Sequence, residues 1–146
     1  MSNVYSFLNV NATFAGAGGI VNLAAGAAVA EEGIMIDAAE DKNVMTIGAD
    51  GKGQHSLIAS DAGNVTVKLL KTSPINQALM NIYNLQSTAT SLWGQNIITI
   101  VDSARGDTHI LEGVAFKKKP SIGYAKEAGF NEWTFDAIKV TSILGV

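Results

Sequence analysis

His55 and His109 are the chain's two histidines, the residue type most often used as a general acid or base. Each lies in a stretch that alternates apolar and polar residues. Neither has an acid, a serine or a second metal ligand at a spacing that catalysis or zinc binding requires. They read as surface or interface histidines. The chain has no cysteine, so disulfides, thiolate zinc sites and cysteine nucleophiles are excluded. Gly16-Ala17-Gly18-Gly19 starts like a dinucleotide fingerprint, but Val21 takes the place of the third glycine and no capped helix follows. Arg105-Gly106-Asp107 spells an adhesion tripeptide and is more simply good turn chemistry. Asn11-Ala12-Thr13 and Asn64-Val65-Thr66 match the glycosylation pattern. Residues 1–14 lack the basic start and apolar run of a secretory signal, so that match carries no weight. No catalytic, cofactor-binding or metal-ligating residue is assigned, and the chain is not read as an enzyme.

Charge is more informative than any motif. The net charge is −3 and the pI about 5.2, which argues against tight nucleic-acid binding. Residues 1–30 carry no charged side chain. They suit either a buried N-terminal hairpin or a surface covered by other subunits. Residues 31–61 hold seven acids against two lysines. Lys117-Lys118-Lys119 is the one basic cluster. It reads as a solvated strand end, or as one side of an intersubunit electrostatic contact with an acidic neighbour that includes Glu31 and Glu32. Only 16% of residues are charged, against about 25% in typical domains. Edge strands of a free β-rich monomer are normally guarded by charge, so this scarcity suggests edges paired in an assembly.

The elements that position these residues follow from periodicity. Residues 64–70 alternate as a strand and run to Thr72-Ser73-Pro74. Ser73 is a natural N-cap and Pro74 fits the first helical position. Ile75, Ala78, Leu79, Ile82 and Tyr83 then share one helical face, predicting a helix over about 74–86. Strands are expected at 4–14, 20–23, 34–38, 44–49, 53–60, 96–102, 108–118, 121–125 and 131–144, with turns at 15–19, 40–43, 50–51, 61–64 and 103–107. Residues 24–30 suit a short helix or close packing against another backbone. Trp93 and Trp133 read as core or interface anchors. The class is mainly β: a sandwich or barrel of about eight to ten antiparallel strands with one flanking helix, in a single domain spanning 1–146. The acidic, Gly-rich segment 39–56 reads as a hairpin that protrudes as an arm. Met45 and Ile47 are costly to leave exposed on a mobile surface hairpin, so the arm is expected to reach a neighbouring subunit, with Asp41, Lys42, Asn43, Met45, Asp50 and Lys52 as the contact residues.

Taken in order, YSFLNVNATF, AEEGIMID, EDKNVMTIGADG, VTVKLLKTSPINQALMNIYNLQ, WGQNIITI, VAFKKKPS and YAKEAGFNEWTFDA resemble the tail-tube proteins of contractile-tailed (myovirus-type) bacteriophages, over nearly the whole chain. The resemblance implies a non-enzymatic virion subunit assembled in the host bacterial cytoplasm. It implies stacked hexameric rings whose lumen conducts DNA and holds a tape-measure protein. The implied partners are further copies, the tail sheath, a tail terminator and baseplate or tail-tip proteins. A tube of a bacteriocin or type VI secretion-like machine is the alternative within the class. Outside it, the alternative is a monomeric β-barrel that binds a small ligand.

Overall fold

A computed structural model describes residues 4–6, 9–25, 33–127 and 129–145. Among these residues, nine strands and one α-helix run in the order β1 (Val10–Gly16), β2 (Gly19–Ala25), β3 (Gly33–Ala38), β4 (Asn43–Ile47), β5 (Gly53–Leu57), β6 (Gly63–Leu70), α1 (Pro74–Gln86), β7 (Asn96–Asp102), β8 (Asp107–Lys118) and β9 (Phe130–Ile143). A short 3-10 turn, Thr90–Leu92, precedes β7. Seven strands form one antiparallel sheet in the order β2-β1-β7-β8-β9-β6-β3, and β4 and β5 form a separate two-stranded sheet. The mainly β reading with a single flanking helix is therefore correct.

β6 shows why the sequence reads so clearly. Val65, Val67 and Leu69 are buried, while Asn64, Thr66 and Lys68 point the other way. At its end Ser73 is extended and its hydroxyl accepts from the Ile75 N–H, with Pro74 opening α1. The helix buries Ile75, Leu79, Ile82 and Gln86. The Trp133 indole N–H donates to the Asn76 side-chain amide oxygen Oδ1 at 2.9 Å, fixing the first turn of α1 to β9.

The sheet curls on itself. Phe14 on β1 and Phe135 on β9 have ring centroids 5.5 Å apart, although β7 and β8 lie between their strands. On a flat sheet three strand spacings would separate them by about 14 Å. Phe116 on β8 sits at the centre, with Phe135 at 5.0 Å, Tyr83 at 5.4 Å, Phe14 at 5.5 Å and Trp133 at 5.9 Å. A bulge helps the bend. Asn96 and Ile98 of β7 oppose Val114 and Leu111 of β8, so β8 carries an extra residue there. Gly113, at φ 63°, occupies that bulge.

Three expectations need correction. The first strand starts at Val10, not Val4. Asn9 N–H turns back to the Ser6 carbonyl, and Val10 pairs with Asp102, the last residue of β7, so among the described residues the β1–β7 ladder begins there. The turn expected over 15–19 narrows to Ala17 and Gly18, with Gly16 and Gly19 paired at its base. No strand forms over 121–125. Pro120 removes a ladder donor, and β8 is already flanked on both sides. The segment is held instead by Lys71, whose ammonium lies 3.9 Å from the Tyr124 ring centroid and donates to the Gly123 carbonyl. Glu31, Glu32 and most of the 24–30 stretch lie outside the described residues.

Candidate assembly interface

The two histidines do not form a site. His55 is on β5 and faces Asn43, with Nδ1 3.1 Å from its amide nitrogen. His109 is on β8 in the other sheet, with Nδ1 2.8 Å from the Ser142 hydroxyl. Among the described residues no group of three His, Asp or Glu could hold a metal ion. The sheet interior is filled by the Phe116 ring cluster rather than hollow. The ≈ 620 Å³ hollow over β8 and β9 is an open groove lined by Ala115, Ile138 and Lys139 among others. That groove is open to solvent, unlike the closed apolar pocket that a ligand-binding barrel requires.

The β4–β5 hairpin is the unusual element. Every residue of both strands is exposed. Its register, Asn43 opposite Leu57 through Ile47 opposite Gly53, is closed by a turn in which Gly51 takes φ 84° and the Asp50 carboxylate accepts from the Lys52 N–H at 3.1 Å. Yet Val44, Met45, Ile47 and Leu57 are 48%, 57%, 60% and 80% exposed. An isolated two-stranded hairpin is marginal in water. Among the described residues it is tied down at its base. The Ile58 N–H donates to the Lys42 carbonyl at 2.9 Å, and the Lys42 ammonium meets Asp61 at 2.8 Å. The hydrogen bond and charge of Lys42 hold the Asp61 carboxyl below its ordinary value.

Of the residues assigned from sequence to the inter-ring contact, Lys42 thus has a partner within its own chain, and so do Asn43 and Asp50. Asp41, Met45 and Lys52 are exposed. Lys117, Lys118 and Lys119 are exposed at the end of β8. Sequence reasoning missed a buried polar joint. Gln86 and Asn96 exchange amide hydrogen bonds at 2.7 and 2.9 Å, while Gln86 also donates to the Ala17 carbonyl and Asn96 to that of Val114, each at 2.9 Å. The joint fastens the end of α1 to the β1–β2 turn and to the start of the β7–β8 pair. Nothing in the sequence separates these two amides from the many exposed ones.

The exposed apolar side chains of this separate hairpin offer a surface that a partner could cover. The chain belongs to the bacteriophage PhiTE tail tube protein family, whose model matches residues 1–145. That family consists of structural tube proteins. No curated protein matches the sequence. Solved structures share the fold at low identity. The sheath-tube complex of an extracellular contractile injection system, PVC, in its extended state gives a TM-score of 0.61 at 14% identity, over 99% of this chain and 94% of that one. The anti-feeding prophage baseplate, 6-fold symmetrised, gives 0.61 at 10% identity, over 98% and 97%. The anti-feeding prophage tube-terminating cap gives 0.58 at 13% identity, over 99% and 94%. No described helix is long and apolar enough to cross a membrane.

Proposed function

We propose that residues 1–146 form one tube domain with a protruding arm, and that copies of it stack as hexameric rings around a lumen that conducts DNA during infection. The exposed β4–β5 hairpin carries this reading. Covering its four apolar side chains with a neighbouring ring would contribute on the order of 5 kcal/mol per subunit. Heterologous contacts that close on themselves give rings, and an arm directed along the axis stacks them. The 6-fold symmetry of the anti-feeding prophage baseplate, which shares the fold, supports six copies per ring. In this reading Asp41, Lys42, Asn43, Met45, Asp50 and Lys52 lie at the ring-to-ring contact. Lys117, Lys118 and Lys119 meet an acidic neighbour that includes Glu31 and Glu32. A sheath, a terminator, a baseplate and a tape-measure protein complete the particle, which assembles in the host cytoplasm.

Deletion of 43–53 tests the arm. It is expected to leave the far-UV spectrum of the seven-stranded sheet and to abolish tube growth. Tubes of normal length from the deletion would contradict the assignment. A second reading has support of its own, because the structures sharing the fold come from injection systems. Tubes isolated from particles distinguish the two: DNA in particles with heads supports the phage tail, and headless particles support an injection machine.

A further inference from the structure

The register of the β4–β5 hairpin sorts its side chains onto two faces, because side chains alternate along a strand and directly opposed residues share a face. Asn43, Met45 and Ile47 lie on one face with their partners Leu57, His55 and Gly53. The 3.1 Å contact between the Asn43 amide and His55 Nδ1 agrees with that sorting. Val44, Thr46, Gln54 and Ser56 lie on the other face. Three of the four exposed apolar side chains, Met45, Ile47 and Leu57, are thus on one side, and the other side is polar apart from Val44. Within one chain this apolar face stays uncovered, since every residue of both strands is exposed.

A hollow of matching chemistry lies elsewhere on the molecule, between α1 and the β1–β2 turn. Buried Val21 and Ile82 line it, together with the exposed side chains of Ile20 and Leu85. Asn81 is its one polar side chain among the described residues, and no lining residue is ionisable. Four other hollows all carry charge. The groove over β8 and β9 has Asp61, Asp136 and Lys139. The one across β3, β6 and β9 has Lys68 and Glu132, and the one between β3 and the β7–β8 end has Asp102, Asp107 and His109. The one at the hairpin root has Asp37, Glu40, Lys42 and Asp61. The sheet edge beside the uncharged hollow is also unguarded. β2 is a terminal strand and none of Gly19–Ala25 is ionisable, although charge is the usual guard of a free edge. The other terminal strand, β3, carries Asp37.

We infer, resting on the tube reading, that this hollow is the socket for the hairpin of a second copy. Met45, Ile47 and Leu57 of one subunit dock between α1 and the β1–β2 turn of the next. An apolar face gains by displacing water from apolar surface. Seated in any of the four charged hollows, it would strip water from ionised groups and return no hydrogen bond. A donor face and an acceptor hollow on different parts of one chain make a heterologous contact, which propagates from copy to copy as stacking requires.

The chain has no cysteine, so introduced cysteines report only on each other. Met45→Cys or Ile47→Cys would be combined with Ile20→Cys or Leu85→Cys. Assembled tubes would be oxidised and their products separated in denaturant without reductant. Disulfides need Cα atoms within about 7 Å, so each pair reports close approach. The inference requires a ladder of linked multimers from at least one of these four pairs and no dimer from the single variants. Thr46→Cys with Leu85→Cys tests the polar face of the hairpin, and Ile47→Cys with Ile138→Cys tests the charged groove over β8 and β9. No ladder from any of the four pairs, a dimer from a single variant, or an equal ladder from either control overturns the inference. If the variants do not assemble, a helical reconstruction of unmodified tubes decides, by whether Met45 and Ile47 of one subunit sit against Leu85 of another. An unmodified chain that makes no tube under any condition, including on a tail-tip complex, overturns the tube reading itself.

Discussion

Gln86 and Asn96 are fully buried, and their amides are satisfied only by each other and by two carbonyls. Leaving such groups unpaired costs about 1–3 kcal/mol each. Gln86→Leu is therefore expected to lower unfolding free energy by roughly 2–4 kcal/mol in urea titration; a change near zero would mean that the joint is not structural. Gly16 lies against this pair so closely that a Cβ there would run into the Asn96 amide. Gly113 is constrained twice. Its φ is +63°, and a Cβ would sit 2.9 Å from Ile138 Cδ1. Gly113→Ala should lose about 1–3 kcal/mol, and the sheet's curl should tolerate it least at the bulge. At this scale the sequence was least readable. Gln86 ends an amphipathic helix like any polar residue, and only the return of β7 beside it makes it a core group.

Local pattern decided most elements. α1 appears over Pro74–Gln86 as the cap, the proline and the periodicity require. β7 appears over Asn96–Asp102 as its alternation requires. Pattern fails where pairing is decided elsewhere: residues 4–6 alternate well and 121–125 reads as a strand, but neither forms one. The β4–β5 hairpin was readable from Asp50-Gly51 and the polar, Gly-rich composition around it. Its base has a pH dependence with a definite sign. The pKa of Asp61 is lowered from 3.8 by Lys42, so this contact contributes fully above the ordinary carboxylate value and is lost as pH falls through the lower folded value. Hydrogen exchange at the Ile58 amide should accelerate, relative to its intrinsic rate, as pH drops into that range. Asp61→Asn should show the same loosening at neutral pH. Unchanged protection in Asp61→Asn would show that the backbone bond from Ile58 to Lys42 suffices alone.

At the scale of the whole molecule, the uncharged N-terminal thirty residues left two readings open. The described part supports elements of both. Phe14, Val21 and Leu23 go into the core, while Asn11, Thr13, Ile20 and Asn22 face outward without charge. The polymer this chain is proposed to form would cover or enclose that outward face. If Lys117, Lys118 and Lys119 meet an acidic neighbour, replacing all three by Glu should slow assembly and reverse its response to salt, since pairs at an interface rim act mainly on association rate. Turbidity traces at several salt concentrations would measure this; identical traces would remove these lysines from the interface. The central claim is assembly, and electron microscopy of the purified chain across a concentration series, alone and on a tail-tip complex, tests it most directly. The account predicts hollow tubes of stacked six-fold rings. A monodisperse monomer under every one of these conditions would contradict it.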